Sequence, residues 1–159
     1  MRRDAGPVGL SDGDHIRNLL GRYCDLMDAG FFDTVGELFS FASLVDDTGR
    51  VLARGAAEVA DYYERITRRY ESGGLRTKHL VLNTVLEEAQ GDTGRNAMII
   101  ARSSYVVLQA SGQLPLQPII TGRYVDKFVH VGGDWQWAER AFIVDQMGDL
   151  SHHLKFDLA

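Results

Sequence analysis

Apolar positions recur first at helical intervals and, further along, at alternate residues. Ile16, Leu19, Leu20, Tyr23, Leu26 and Met27 fall on one arc of a helical wheel, which predicts an amphipathic first helix. Ser11 or Asp12 can cap its start, and Gly30 ends it. Asp33 to Phe39 reads as a short second helix with Asp33 as its cap. Phe41–Val45 and Arg50–Ala53 read as short strands joined by the turn Asp46-Asp47-Thr48-Gly49. The helical period returns from Ala56 to Tyr70, with Val59, Tyr62, Tyr63 and Ile66 inward and a charged, solvated face opposite; Ser72-Gly73-Gly74 stops it. Four extended segments follow: His79–Glu87, Asn96–Gln109, Leu116–His130 and Trp135–Asp145. They are separated by Gln90-Gly91-Asp92-Thr93-Gly94, Ser111-Gly112-Gln113-Leu114-Pro115 and Gly132-Gly133-Asp134, which are turn sequences. Two of the strands exceed about a dozen residues, so a strongly curved, bulged sheet is expected.

Helices followed by a long antiparallel meander define an α+β protein. Residues 1–10 read as a flexible arm, 11–146 as a single domain and 147–159 as a C-terminal tail. At 159 residues, one core of ordinary size is expected. A net charge of −5 leaves no electrostatic footprint for nucleic acid or an anionic membrane. The lone Cys24 excludes an intrachain disulfide framework and fits a reducing compartment. With no apolar run of membrane length and no signal-peptide pattern, a cytoplasmic location is expected. A curved sheet closed by helices leaves a concave interior suited to a hydrophobic small molecule.

Candidate chemistry starts at the end of the first helix. Asp28 lies beside the apolar arc and close to the negative end of the helix dipole, which disfavours a carboxylate there by roughly 0.3–1 kcal/mol when exposed. A partner must offset this. In the first long strand, alternation puts His79, Val81, Asn83 and Val85 on one face, and Leu80, Leu82, Thr84 and Leu86 on the other. His79 and Asn83 are then pocket candidates, and the second face is expected to cover the helices or a partner subunit. In the last strand Arg140 shares a parity with Ala138 and Phe142, opposite Trp135, Trp137, Glu139 and Ala141. Arg102 with Ser104, and Arg123 with Lys127, are weaker candidates. His15, His130 and the tail pair His152-His153 carry no ligand spacing, so no metal is expected. Phosphate-binding glycine loops and nucleophile motifs are absent, and no cofactor is expected.

The run Ile16-Arg17-Asn18-Leu19-Leu20-Gly21-Arg22-Tyr23-Cys24-Asp25-Leu26-Met27-Asp28, then Leu38-Phe39, His79 with Asn83, Gly122-Arg123-Tyr124-Val125-Asp126 and Trp135-Gln136-Trp137-Ala138-Glu139-Arg140 resembles the SnoaL-like branch of the nuclear transport factor 2-like superfamily, over about residues 12–145. The resemblance implies a cone: a curved, largely antiparallel sheet packed against N-terminal helices over a deep pocket. Dehydratases and dehydrochlorinases of that superfamily carry an Asp–His dyad whose matching positions here are Asp28 and His79. Tyr23 and Arg140 match a tyrosine and an arginine found in individual members, and Asn83 matches in spacing. The implied activity is a cofactor-independent lyase of dehydratase type, or an isomerase or cyclase. It would act on a hydrophobic cyclic substrate, with Asp28, His79 and Tyr23 catalytic and Asn83, Arg140 and Arg102 binding substrate. A homodimer or homotrimer is expected. The alternative is a non-catalytic ligand-binding protein, or a structural small subunit of a ring-hydroxylating dioxygenase. Tyr23 poses a geometric problem, because five helical positions turn it ~140° from Asp28.

Overall fold

The computed structural model describes residues 9–89 and 97–156. Most of the expected N-terminal arm and the Gln90–Gly94 turn lie outside the described residues.

Helix α1 (Asp12–Ala29) begins with a reciprocal cap. The Ser11 hydroxyl accepts from the Asp14 N–H, and the Asp14 carboxylate accepts from the Ser11 N–H. It ends at Gly30 in the left-handed region (φ 74°), with the Gly30 and Phe31 N–H groups donating back to Met27 and Leu26 carbonyls. A Cβ at Gly30 would lie 2.2 Å from the Gly73 carbonyl oxygen, so the helix end docks directly on the turn that leads into the sheet. Helix α2 (Phe32–Leu38) starts from Phe31 with no side-chain cap. Asp33, expected as the cap, instead sits in its first turn. Helix α3 (Gly55–Ile66) is shorter than its period suggested. Thr67 turns extended and pairs with Leu154 as an isolated antiparallel bridge, so tertiary pairing stops the helix before Ser72-Gly73-Gly74.

Six strands, β1 (Ser43–Val45), β2 (Val51–Arg54), β3 (Thr77–Glu88), β4 (Met98–Ser111), β5 (Leu114–Val131) and β6 (Asp134–Met147), form one sheet in the order β2-β1-β6-β5-β4-β3. All neighbours are antiparallel except β1 and β6, which run parallel. The sheet is therefore mixed but largely antiparallel, as expected. Its concave face and the helices share a core in which Ile16, Phe39, Leu44, Val59 and Phe128 are fully buried.

Two bulges invert strand parity and correct the simple alternation. In β3 the register slips between Leu82 and Val85, so Asn83 and Thr84 together oppose Ser103. Asn83 takes φ 53°. Beyond the slip Thr84, bonded to the Ser103 hydroxyl at 3.0 Å, and Leu86 turn inward, whereas Val85 turns out. In β6 Ala138 is the extra residue, because Phe128 pairs with Trp137 and Lys127 with Glu139. Trp135, Trp137, Arg140 and Phe142 consequently share the inner face, while Glu139 points outward to pair with Lys127 at 2.8 Å.

Residues after β6 fold back over the open end of the sheet. The Gly148 N–H donates to Ile119, the Arg68 N–H to His153 and the Lys155 N–H to Ile66. The His152 carbonyl accepts from the Tyr70 hydroxyl and the Gln109 amide.

Candidate active site

Asp28 and His79 meet. The dyad is assembled where the end of α1 abuts the start of β3. The Leu75 N–H donates to the Asp28 carbonyl at 3.0 Å, fixing helix against strand. The Asp28 carboxylate then accepts from the Thr77 hydroxyl at 2.7 Å, from the His79 N–H at 3.1 Å and from His79 Nδ1 at 2.6 Å. Lys78 Nζ stands 3.9 Å away. These donors supply what a carboxylate at a helix C-terminus lacks, and they satisfy it almost out of water. An ionised carboxylate only accepts, so in the neutral imidazole His79 Nδ1 carries the proton and Nε2 presents the lone pair. Nε2 has no protein partner among the described residues and is not sealed by protein atoms, since His79 lines an apolar cavity beneath the sheet.

That cavity has a volume of about 380 Å³. It lies between the concave sheet face, the C-terminal half of α1 and the end of α3, and its walls are mostly aromatic and aliphatic. The size and character are those of a small-molecule site. Tyr23 lines it too, although Asp28 lies behind His79 and not on the wall. The ~140° between Tyr23 and Asp28 is resolved because the carboxylate reaches the cavity only through the imidazole. The Tyr23 hydroxyl is 2.9 Å from that of Tyr63, and both phenols are buried. Burial raises the pKa of Tyr23 above its ordinary value, against the pull of Arg140, so it stays protonated. A pair of hydroxyls that shares one hydrogen bond has one proton left to offer the cavity.

Arg140 is placed differently from its expected role. It is fully buried beneath the cavity floor, bonded to Asp126 at 2.7 and 3.0 Å, and Asp126 also accepts from the Trp137 indole at 2.9 Å. Its guanidinium carbon sits 4.2 Å from the Tyr23 ring centre and 4.0 Å from that of Tyr124. Burial opposes the charge, but Asp126 outweighs it and holds the arginine above its ordinary pKa. Arg140 thus supports the tyrosines that face the cavity. Asn83 and Arg102 do not join the site. The β3 bulge puts Asn83 on the exposed outer face, and Arg102 there pairs with Glu87 at 3.1 Å. Arg123 is likewise outside, held by Asp145. Cys24 is buried in the core, and burial pushes its thiol up to about 11, leaving no reactive thiolate at neutral pH.

Other cavity residues were not picked out by the sequence. Tyr105 and Tyr124 stack at 4.3 Å and share the inward parity of Val107 and Phe128, a signal that strand alternation does contain. His153 had no such signal, because it lies in an aperiodic segment after the last strand. It is buried, lines the cavity and faces His79 with ring centres 6.1 Å apart. No group of three or more metal-ligating side chains converges among the described residues. Nor is any helix there long and apolar enough to cross a membrane.

An open, largely antiparallel sheet curled over N-terminal helices around one apolar cavity is the architecture of nuclear transport factor 2-like proteins of cystatin-like fold. One such protein from Novosphingobium aromaticivorans has a solved structure that superposes with a TM-score of 0.64, at 18% identity, covering 89% of this chain and 86% of that one. The chain belongs to the SnoaL-like domain family, whose profile matches residues 9–141. A putative scytalone dehydratase from the same organism is similar at TM-score 0.62 and 18% identity, over 85% of each chain. The β subunit of a putative aromatic-ring-hydroxylating dioxygenase, also from N. aromaticivorans, reaches 0.59 at 21% identity, over 84% of this chain and 89% of that one. At these identities the likeness is one of fold. No curated protein matches the chain.

Proposed function

We propose that the protein is a cofactor-independent lyase of dehydratase type, or an isomerase or cyclase, that removes a proton from carbon in a hydrophobic cyclic substrate. The observation that carries this reading is the 2.6 Å bond between His79 Nδ1 and Asp28, which leaves the other imidazole nitrogen open to an apolar cavity. Asp28 fixes the tautomer and stabilises the imidazolium formed when His79 Nε2 takes the proton. The electron pair left on carbon either expels a leaving group on the adjacent carbon or is delocalised onto a neighbouring carbonyl oxygen. The remaining proton of the Tyr23–Tyr63 pair can meet the oxygen that gains charge. The similarity to a putative scytalone dehydratase supports a lyase; the similarity to a dioxygenase β subunit keeps a structural role as the competing reading.

A panel of hydroxylated and keto polyketide, steroid and terpenoid compounds, assayed with the wild type, His79→Ala and Asp28→Asn, tests the proposal. Loss of conversion by about a hundredfold or more in both variants is expected from the usual worth of a general base. Conversion at wild-type rate in both refutes it, and stable co-purification with an iron–sulfur oxygenase subunit would favour the structural role. The outer sheet face exposes Leu80, Leu82 and Val85, and we expect it to be covered in a homodimer or homotrimer. A monomer by light scattering at micromolar concentration would contradict that.

A further inference from the structure

His79 and His153 are two imidazoles in one cavity, but their surroundings are opposite. His79 Nδ1 is held by a carboxylate, whereas His153 Nδ1 is buried with no partner. An orphaned buried N–H is rarer than an orphaned acceptor, so the single proton of a neutral His153 belongs on Nε2. His153 Nε2 is not sealed off, and the residue lines the cavity. One ring therefore offers the cavity a lone pair and the other an N–H. No hydrogen bond joins the rings directly; their centres lie 6.1 Å apart, and both line the same cavity, so a group bound there can be reached by both.

The position of His153 is built by the backbone on either side of it. Its carbonyl accepts from the Arg68 N–H at 2.8 Å, its N–H donates to Leu150 at 2.9 Å, and Leu154 pairs with Thr67. The Leu154 carbonyl also accepts from Arg68 Nε at 2.7 Å. The segment lies beyond residues 9–141, the range that the family profile matches. Burial, and then the proximity of His79, depress the pKa of His153 to about 3, so the donor is a neutral imidazole.

Resting on the general-base reading of His79, we propose that His153 is a further catalytic residue whose Nε2–H donates to the carbonyl oxygen of a cyclic ketone substrate while His79 Nε2 faces the carbon next to that carbonyl. In the step, the C–H bond breaks, the proton passes to His79, and the electron pair moves to make the enolate, whose oxygen holds the hydrogen bond from His153. Return of a proton to the same or another carbon completes an exchange or an isomerisation. Where the next carbon carries a leaving group, the enolate pair instead forms a carbon–carbon double bond as the bond to that group breaks, and the proton held by His79 departs with it. The substrate class follows: a fused-ring ketone small enough for the cavity, flat enough for its tyrosine walls, with one oxygen at the His153 side.

The test has two parts. In the ligand-free protein, nitrogen-15 correlation spectra of the imidazoles should show His79 as the Nδ1–H tautomer and His153 as the Nε2–H tautomer; His153 protonated on Nδ1, or as a cation at neutral pH, overturns the proposal. Calorimetric titration then compares 1-tetralone with tetralin, the same skeleton without the oxygen. The wild type should prefer the ketone by a factor roughly tenfold larger than His153→Phe does, the upper range of one net hydrogen bond. His153→Gln, which keeps an N–H at a similar reach, should retain most of that preference. An equal preference in the wild type and His153→Phe, or failure of the wild type to bind either compound, overturns it. Deuterium uptake next to the 1-tetralone carbonyl separates the two roles. Correct tautomers and ketone preference without uptake would count against His79 as base while leaving the His153 contact standing.

Discussion

Three largely buried polar groups do most to set the character of the site. Asp28 is satisfied by three donors from β3, and the same contacts that offset its position at the helix end orient His79. Asp126 neutralises Arg140 under the cavity floor, where both are fully buried. Removing one charge of such a pair strands the other, so Asp126→Asn is expected to cost about 3–5 kcal/mol in urea unfolding. A cost below ~1 kcal/mol would mean that Arg140 finds water. His153 makes stability depend on pH. Its folded pKa of about 3 lies below the ordinary 6.5, so between those values the unfolded chain binds the extra proton and stability falls as pH falls. The slope from this residue approaches about 1.4 kcal/mol per pH unit in that window. His153→Phe should flatten the decline in acid unfolding curves; an unchanged slope would show that His153 takes up its proton without loss of the fold.

The elements were legible where one period persists. Helix α1, a cap at Ser11 or Asp12, its Gly30 stop and the four long strands all follow from patterning, and the structure assigns the cap to Ser11. An extra residue in β3 puts Asn83 outside, and another in β6, Ala138, brings Arg140 onto the face of Trp137 instead of opposite it; its bonds to Asp126 then hold it below the cavity floor. No local composition marked Ala138 or the Asn83-Thr84 step as a bulge; the partner strand decides it. Helix α3 ended early for a similar reason, because Thr67 has a tertiary partner in Leu154. Where helices α2 and α3 cross, Gly36 allows the approach, since a Cβ there would lie 2.3 Å from the Ala56 carbonyl oxygen. Gly36→Ala is expected to force the helices apart at a cost of about 1–3 kcal/mol, read as a lower denaturation midpoint. A midpoint equal to that of wild type would show that the pair can separate freely.

At the scale of the whole molecule, residues far apart in sequence converge on one end of the cone. Asp28 ends a helix, His79 opens a strand and His153 follows the last strand, so the cavity is complete only when the C-terminal segment has folded back onto Thr67 and Arg68. The first two positions could be read from resemblance and from the unusual place of an acid at a helix end. The third could not, because nothing in a short aperiodic segment states where its backbone docks. The cavity's shape was implied by a curved sheet over helices, and strand alternation carried the inward parity of Tyr105 and Tyr124, but their stacking emerged only with the register of β4 and β5.

Solvent-deuterium labelling of fused-ring ketones that titrate into the cavity tests the central claim most directly. The wild type should label the carbon beside the carbonyl well above the buffer rate, and both His79→Ala and Asp28→Asn should lose at least about a hundredfold of that rate. Bound ketones that gain no label, or labelling that survives undiminished in both variants, would contradict the assignment of His79 and Asp28 as the base.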